Sequence, residues 1–268
     1  GNTEVATSQM VRIDDTTPVT TSDIDEAWQN GPVTVTLSPS DDGLSPLDTY
    51  YRLDGGNDEL YAAPFAVSAE GTTTVEYWSV DAAGNAETAT SKMDVRIDDT
   101  APNSISDITP AWQNGPVAVT LNTSDSLSEV AGTLYTVDGG AETTYMAPFN
   151  VSGDGVHVIQ YRSIDHAGNS ESMRSENVRI DDTTPATTSD IDEAWTNGPV
   201  TVTLTASDDS LSPLTTYYST DGSEPSELYS TPFEISAEGT TTVRFMSVDA
   251  AGNTEVATSQ MVRIDDTT

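Results

Sequence analysis

Carboxylates are the reactive residue type this chain has in quantity, and they recur at fixed places. An Asp pair lies in every copy of the hexapeptide Val-Arg-Ile-Asp-Asp-Thr, which begins at Val11, Val95, Val178 and Val262. The pairs are Asp14 and Asp15, Asp98 and Asp99, Asp181 and Asp182, and finally Asp265 and Asp266. Further along each period comes a second acidic spot, Asp41 and Asp42, then Asp125, then Asp208 and Asp209. A third opens an Asp-x-Ala-Gly-Asn turn at Asp81, Asp165 and Asp249. Oxygen donors without Cys or clustered His suit a hard cation, and Ca²⁺ takes about six to eight oxygens from a flexible shell. These residues also have ordinary work, since Asp and Asn form turns by bonding their own backbone. No EF-hand-like spacing joins the aspartates.

Other chemistry has little footing. Cys is absent, and His157 and His166, the only histidines, have no nucleophile motif near them. Carboxylate pairs are so abundant that a glycosidase-like couple arises by chance, so the chain reads as a non-enzyme. With 44 Asp and Glu against nine Lys and Arg, the formal charge is −35. Such a surface repels nucleic acid and anionic lipid and strains the fold by self-repulsion, which salt or bound cations relieve. Adaptation to high salt and specific calcium binding both fit this charge. No apolar run approaches the roughly 20 residues of a membrane span, so no direct membrane insertion is expected. A secretion signal or anchor is expected outside this stretch.

The elements that must position these groups repeat every 83 or 84 residues, and Gly1–Thr17 is identical to Gly252–Thr268. Each period opens with Trp-x-Asn-Gly-Pro (Trp28, Trp112, Trp195) and an alternating stretch, Val33 to Leu37 in the first copy. A Tyr-rich run ending in Asp-Gly (Asp54, Asp138, Asp221) predicts a hairpin, and a Tyr-x-x-Pro-Phe corner follows at Tyr61, Tyr145 and Tyr229. Helical periodicity is absent. About seven short strands per period with regular turns predict an all-β fold, a tandem array of β-sandwich domains. The expected core holds Val35, Leu37, Tyr51, Phe65, Val67, Val75, Tyr77, Val95 and Ile97 with their copies, capped at one end by the three Trp.

The run Thr220-Asp221-Gly222-Ser223-Glu224-Pro225, with Tyr229, Pro232-Phe233 and Asp249–Asn253, resembles the chitobiase C-terminal-type module. The repeat with its Ile-Asp-Asp-Thr junction resembles bacterial Ig-like tandem repeats of large surface proteins. The first two copies depart from the Asp-Gly-Ser-x-Pro pattern, having Asp54-Gly55-Gly56 and Asp138-Gly139-Gly140. The resemblance implies Ig-like or fibronectin-III-like sandwiches used as stalks, spacers or adhesin extenders. It places the repeats at 14–97, 98–180 and 181–264, after the last strand of a preceding repeat (1–13) and before the start of a further linker (265–268).

In a fibronectin-III-like sandwich the acidic loops lie beside the incoming linker. This predicts three gatherings: Asp14, Asp15, Asp41, Asp42 and Asp81 with Asn85; Asp98, Asp99, Asp125 and Asp165; Asp181, Asp182, Asp208, Asp209 and Asp249. Calcium there would stiffen the junctions. Trp78 is unique to one copy, and alternation points it outward, making it a candidate ligand-binding platform; covering a half-exposed sheet face is its plainer role. One extra residue lies between Asn85 and Val95 relative to the other copies, which predicts a bulge.

The expected role is mechanical: an extracellular, cell-surface or secreted stalk, spacer or fibre segment. At roughly 35 Å per module the three would reach on the order of 100 Å. Its partners are neighbouring repeats and, in a fibre, other copies of the chain. A self-assembling filament, with the Gly1–Ile13 strand pairing in trans, and a carbohydrate-binding array are the alternatives.

Overall fold

The computed structural model describes residues 4–42, 46–88, 91–209 and 212–267, with nothing stated of the side chains of residues 91 and 92. Every regular element among them is a strand. In the first repeat these are β1 (Val19–Ser22), β2 (Trp28–Gln29), β3 (Val33–Val35), β4 (Leu37–Ser40), β5 (Leu47–Leu53), β6 (Glu59–Leu60), β7 (Phe65–Val67), β8 (Gly71–Asp81) and β9 (Ser91–Ile97). The same nine recur from Asn103–Ser106 to Arg174–Ile180, and from Ala186–Ser189 to Thr258–Ile264.

One layer is a five-stranded sheet in the order β2-β9-β8-β5-β6; the pairs β1-β4 and β3-β7 form two-stranded sheets. The alternating Val33–Leu37 stretch, expected as one strand, is divided at Thr36. There Asp23 Oδ1 accepts the Thr36 N–H at 2.7 Å, so β3 pairs with β7 and β4 with β1. The third repeat divides in the same way, with Thr203 donating to Asp190. Alternation reports which face is buried, but the side chain of Asp23 decides where the ladder changes partner.

The cores match the pattern read from the sequence. Ile24, Val35, Leu37, Val67, Val75, Tyr77, Val95 and Ile97 form one buried cluster, with Tyr51 and Phe65 packed against it. Equivalent clusters fill the other two repeats. Each buried Val or Ile contributes about 1.5–3 kcal/mol by removing apolar surface from water. Tyr51 stacks on Phe65 with ring centroids 3.9 Å apart. The Tyr61 hydroxyl accepts the Leu37 N–H at 3.1 Å, as Tyr145 does from Leu121 and Tyr229 from Leu204, tying the Tyr-x-x-Pro-Phe corner to β4 and its counterparts. The Asp-Gly hairpins form as expected in the first two repeats: Asp54 and Gly55 have φ of 50° and 68°, and Asp138 and Gly139 have 53° and 69°. The three Trp do not join the cores; Trp28 and Trp112 are half-buried and Trp195 is 61% exposed.

A buried polar knot had no sequence signal. The Ser79 hydroxyl meets those of Thr20 (2.7 Å) and Thr49 (2.8 Å), while the Glu87 carboxylate accepts the N–H groups of Thr20 and Ser79. Ser247, Thr187, Thr216 and Glu255 repeat it. The knot joins β1, β5 and β8 where hydroxyls replace apolar contacts, and its mutual bonding makes the burial tolerable.

Residues 4–13 form no strand, and Val5, Met10, Val11 and Ile13 are exposed. The β8–β9 register, Tyr77 opposite Ser91, matches Tyr161 opposite Arg174 and Phe245 opposite Thr258. The strand therefore runs in unchanged register from Ser91, and the extra residue expected to make a bulge lies between Glu87 and Ser91, where residues 89–90 are outside those described.

By contacts the chain divides into two compact units. One comprises Gly1–Asn103, Thr123–Gly132 and Ser163–Glu171; the other comprises Ser104–Asn122, Thr133–Arg162 and Ser172–Thr268. Each acidic gathering falls within a single unit.

Candidate metal centres

Among the described residues three sets of carboxylates converge, one per repeat: Asp14, Asp41 and Asp81; Asp98, Asp125 and Asp165; Asp181, Asp208 and Asp249. Within each set one oxygen from every residue lies within 4.8 Å of the others. The linker supplies the first member, the loop after β4 or its counterpart the second, and the end of β8 or its counterpart the third. Asp98 and Asp181 are fully buried, and Asp81, Asp165 and Asp249 are 2–6% exposed. Carboxylates at such depth are costly unless hydrogen-bonded or bound to a cation.

The Asp-x-Ala-Gly-Asn turn fixes the third member. Asn85 donates its N–H to Asp81 Oδ1 (2.7 Å) and its Nδ2 to Asp81 Oδ2 (2.8 Å) and to the Asp14 carbonyl (3.0 Å). Asn169 and Asn253 do the same for Asp165 with the Asp98 carbonyl and Asp249 with the Asp181 carbonyl. The Asn side chain therefore staples each turn to its linker. The turn requires a positive φ at its Gly, 91–96° at Gly84, Gly168 and Gly252.

The linker Thr distinguishes the sites. Thr183 Oγ1 lies 3.0 Å from Asp181 Oδ1, 3.1 Å from Asp208 Oδ1 and 2.6 Å from Asp209 Oδ1. A hydroxyl has one proton, so it satisfies one of these three acceptors at a time. Thr16 bridges Asp14 and Asp41 in the first site at 3.0 and 3.4 Å. Oδ2 of Asp41 and of Asp208 is buried with no hydrogen-bond partner. A buried carboxylate oxygen without a partner is costly, because it has lost its water and gained no donor in exchange. The middle site differs: Asp98 accepts the Thr100 N–H at 3.0 Å and the Ser128 N–H at 2.9 Å, one on each oxygen. Burial pushes Asp98 up, but hydrogen bonds from Ser128 and Thr100 outweigh it and hold the carboxyl below the usual carboxylate range. Asp81 balances likewise, its burial outweighed by hydrogen bonds from Asn85 and the turn N–H groups.

The second member of each Asp pair lies outside the converging set. Asp99 turns back to the preceding sandwich, where its N–H meets Glu70 Oε1 at 3.1 Å, and the Asp182 N–H meets Asp154 Oδ1 at 2.8 Å. Asp15 and Asp42 are exposed, and Asp209 meets the third site through Thr183 and through its own N–H, which donates to Asp208 Oδ1 at 2.7 Å. Two adjacent residues of an extended linker point to opposite sides, so only one of each pair faces the cluster. Trp78 lies opposite Tyr50 on the five-stranded sheet, stacked on it at 5.9 Å, with the Arg52 guanidinium 5.4 Å from its ring. Arg52 is in turn paired with Glu76 and Asp58. Trp78 thus contributes to a cross-strand cover of that face.

Strand order, corner Tyr and acidic turn define a class of tandem β-sandwich repeats. Within it, residues 192–259 of the third repeat match the chitobiase/beta-hexosaminidase C-terminal domain family. No curated protein matches the chain. Among solved structures it is similar to the fibronectin(III)-like modules of Clostridium thermocellum CbhA, at 14% identity and a TM-score of 0.32, over 60% of this chain and 95% of that one. It is similar to a tetra-tandem repeat in the extending region of a large adhesion protein (17% identity, TM-score 0.34, 94% and 74% covered). A third likeness is to three N-terminal domains of the bacteriophage RB49 outer capsid protein Hoc (8% identity, TM-score 0.40, 94% and 99% covered).

Proposed function

We propose that this chain is a non-catalytic structural segment of an extracellular surface protein, and that Ca²⁺ at its acidic clusters stiffens the junctions between sandwiches. The observation that carries the reading is the composition of each cluster. One carboxylate comes from the linker and two from the sandwich that follows it, so a cation held by all three fixes the linker on its sandwich. The all-oxygen donor set and the orphan oxygens of Asp41 and Asp208 favour a hard cation. The cation would also offset part of the −35 charge that otherwise resists compaction.

Small-angle X-ray scattering of the whole chain in calcium, in EGTA, and in EGTA at matched ionic strength tests this. The expected result is a maximum dimension and rigidity that fall only when calcium is removed. A profile unchanged by EGTA overturns the calcium role and leaves the acidic surface as solubility or salt adaptation.

A further inference from the structure

The middle repeat carries a device that its neighbours lack. His157, on the strand Gly155–Asp165, is 18% exposed and has both ring nitrogens engaged. Nδ1 lies 2.8 Å from Asp138 Oδ2 in the Asp-Gly turn, and Nε2 lies 2.9 Å from the Gly153 carbonyl oxygen. Both partners are acceptors. A neutral imidazole has a single N–H and satisfies one of them, whereas the imidazolium satisfies both. Asp138 is fixed for this role, its Oδ1 accepting the Val158 N–H at 2.8 Å and its φ being positive. Repeats one and three have Thr73 and Thr241 at the His157 position.

The loop that His157 grips leads to the next linker. Asp154, beside Gly153, accepts the Asp182 N–H, and Asp182 follows the cluster residue Asp181. We propose that doubly protonated His157 is a pH-dependent clasp that holds the 153–154 loop, and through it the start of the linker to the third repeat.

Hydrogen bonding to Asp138 leads in pushing the imidazole above its ordinary value; the Gly153 carbonyl adds to this, and burial opposes it. Asp138 is correspondingly lowered, first by its hydrogen bond to His157. Around the ring, the Asp-Gly turn contributes Asp138 and the gripped loop contributes Asp154, engaged with Asp182. The adjoining strand places Val178 opposite His157, flanked by Asn177 and by Arg179, which donates to the Pro110 carbonyl. A group whose folded value is raised gives stability that is complete below the unfolded imidazole value near ~6.5 and is lost as pH rises through the folded value. The clasp is therefore closed in acid and opens toward alkali.

The test uses the whole chain in EGTA. Imidazole ¹⁵N shifts read the His157 charge, and the ratio of amide protection factors at Asp182 and Asp99 reads the loop. Asp99 is the internal control, because its acceptor Glu70 belongs to a repeat with Thr73 in place of His. The expected result is a His157 titration midpoint above that of a free imidazole and a several-fold fall in the Asp182 to Asp99 ratio across that titration. His157→Thr should abolish that fall. A His157 midpoint at or below that of a free imidazole, or an Asp182 to Asp99 ratio that ignores its titration, overturns the proposal even if the variant fails to fold.

Discussion

The outer acidic clusters and the middle one are built from the same three positions, yet their oxygens are satisfied differently. In the first and third, Thr16 and Thr183 turn into the cluster and the loop carboxylates Asp41 and Asp208 each keep a buried oxygen without a partner. In the middle, Thr100 gives its hydroxyl to Glu70 instead, and the Ser128 N–H takes its place on Asp98. Two sequence differences account for this. Glu70 is one methylene longer than Asp154, its counterpart, and reaches the linker Thr. The middle loop has Ser126 where the others have Asp42 and Asp209, and its Glu129 adopts a φ of 63° beside Ser128. Shared topology brings carboxylates together; local hydrogen bonding decides which of their oxygens are satisfied within the protein.

The largest effect that could break this contrast is calcium removal. A ligand that binds only the folded state at 100 times its Kd stabilises by about 2.7 kcal/mol. EGTA should therefore lower protection from hydrogen exchange around Asp81 and Asp249 by more than around Asp165. Equal losses at all three turns would erase the distinction. Next in size is the loss of loop carboxylates. The double variant Asp41→Asn, Asp208→Asn should weaken calcium binding by about tenfold or more per site, about 1.4 kcal/mol, as read by competition with a chelating dye. Asp125→Asn should cost clearly less, and an equal cost would sink the ranking.

Acid offers a smaller and opposite handle. Asp98 and Asp81 have folded values below their unfolded ones, so their contribution is present above the ordinary Asp value of ~3.9 and is lost as pH falls through the folded value. Amide exchange at Thr100 and Ser128 should accelerate relative to the intrinsic rate only below about pH 4. Protection lost already at pH 6 would show that the Asp98 bonds do not hold it. The smallest effect sharpens the contrast by gain. Ser126→Asp restores the paired loop and should tighten the middle site a few-fold in the same dye assay; weaker binding would contradict the role given to the loop.

Much of this was legible in the chain. Alternation gave the core of each repeat down to Val35, Val75, Val95 and Ile97, and the Asp-Gly and Asp-x-Ala-Gly-Asn signals located turns that carry their own φ and capping demands. Sandwich topology with loop position sufficed to bring Asp14, Asp41 and Asp81 together, though they are far apart in sequence. Sequence did not say which Asp of each pair faces inward, because that depends on the rotation of an extended linker between two acceptor sets. Nor did it show the break at Thr36, made by the Asp23 side chain, or the Thr20–Ser79–Thr49 knot, whose hydroxyls fit the strand pattern equally well on an exposed face. The Trp residues, read as capping one end of each core, stay outside the buried clusters, and Trp195 lies mainly in solvent.

The central claim is that cations complete the outer clusters, and a calorimetric titration of Ca²⁺ into the chelator-stripped chain tests it most directly. The account predicts two equivalents bound in a first phase that is lost in the Asp41→Asn, Asp208→Asn variant, with the middle site filling more weakly. No binding at millimolar calcium, or a first phase indifferent to those two substitutions, would contradict it.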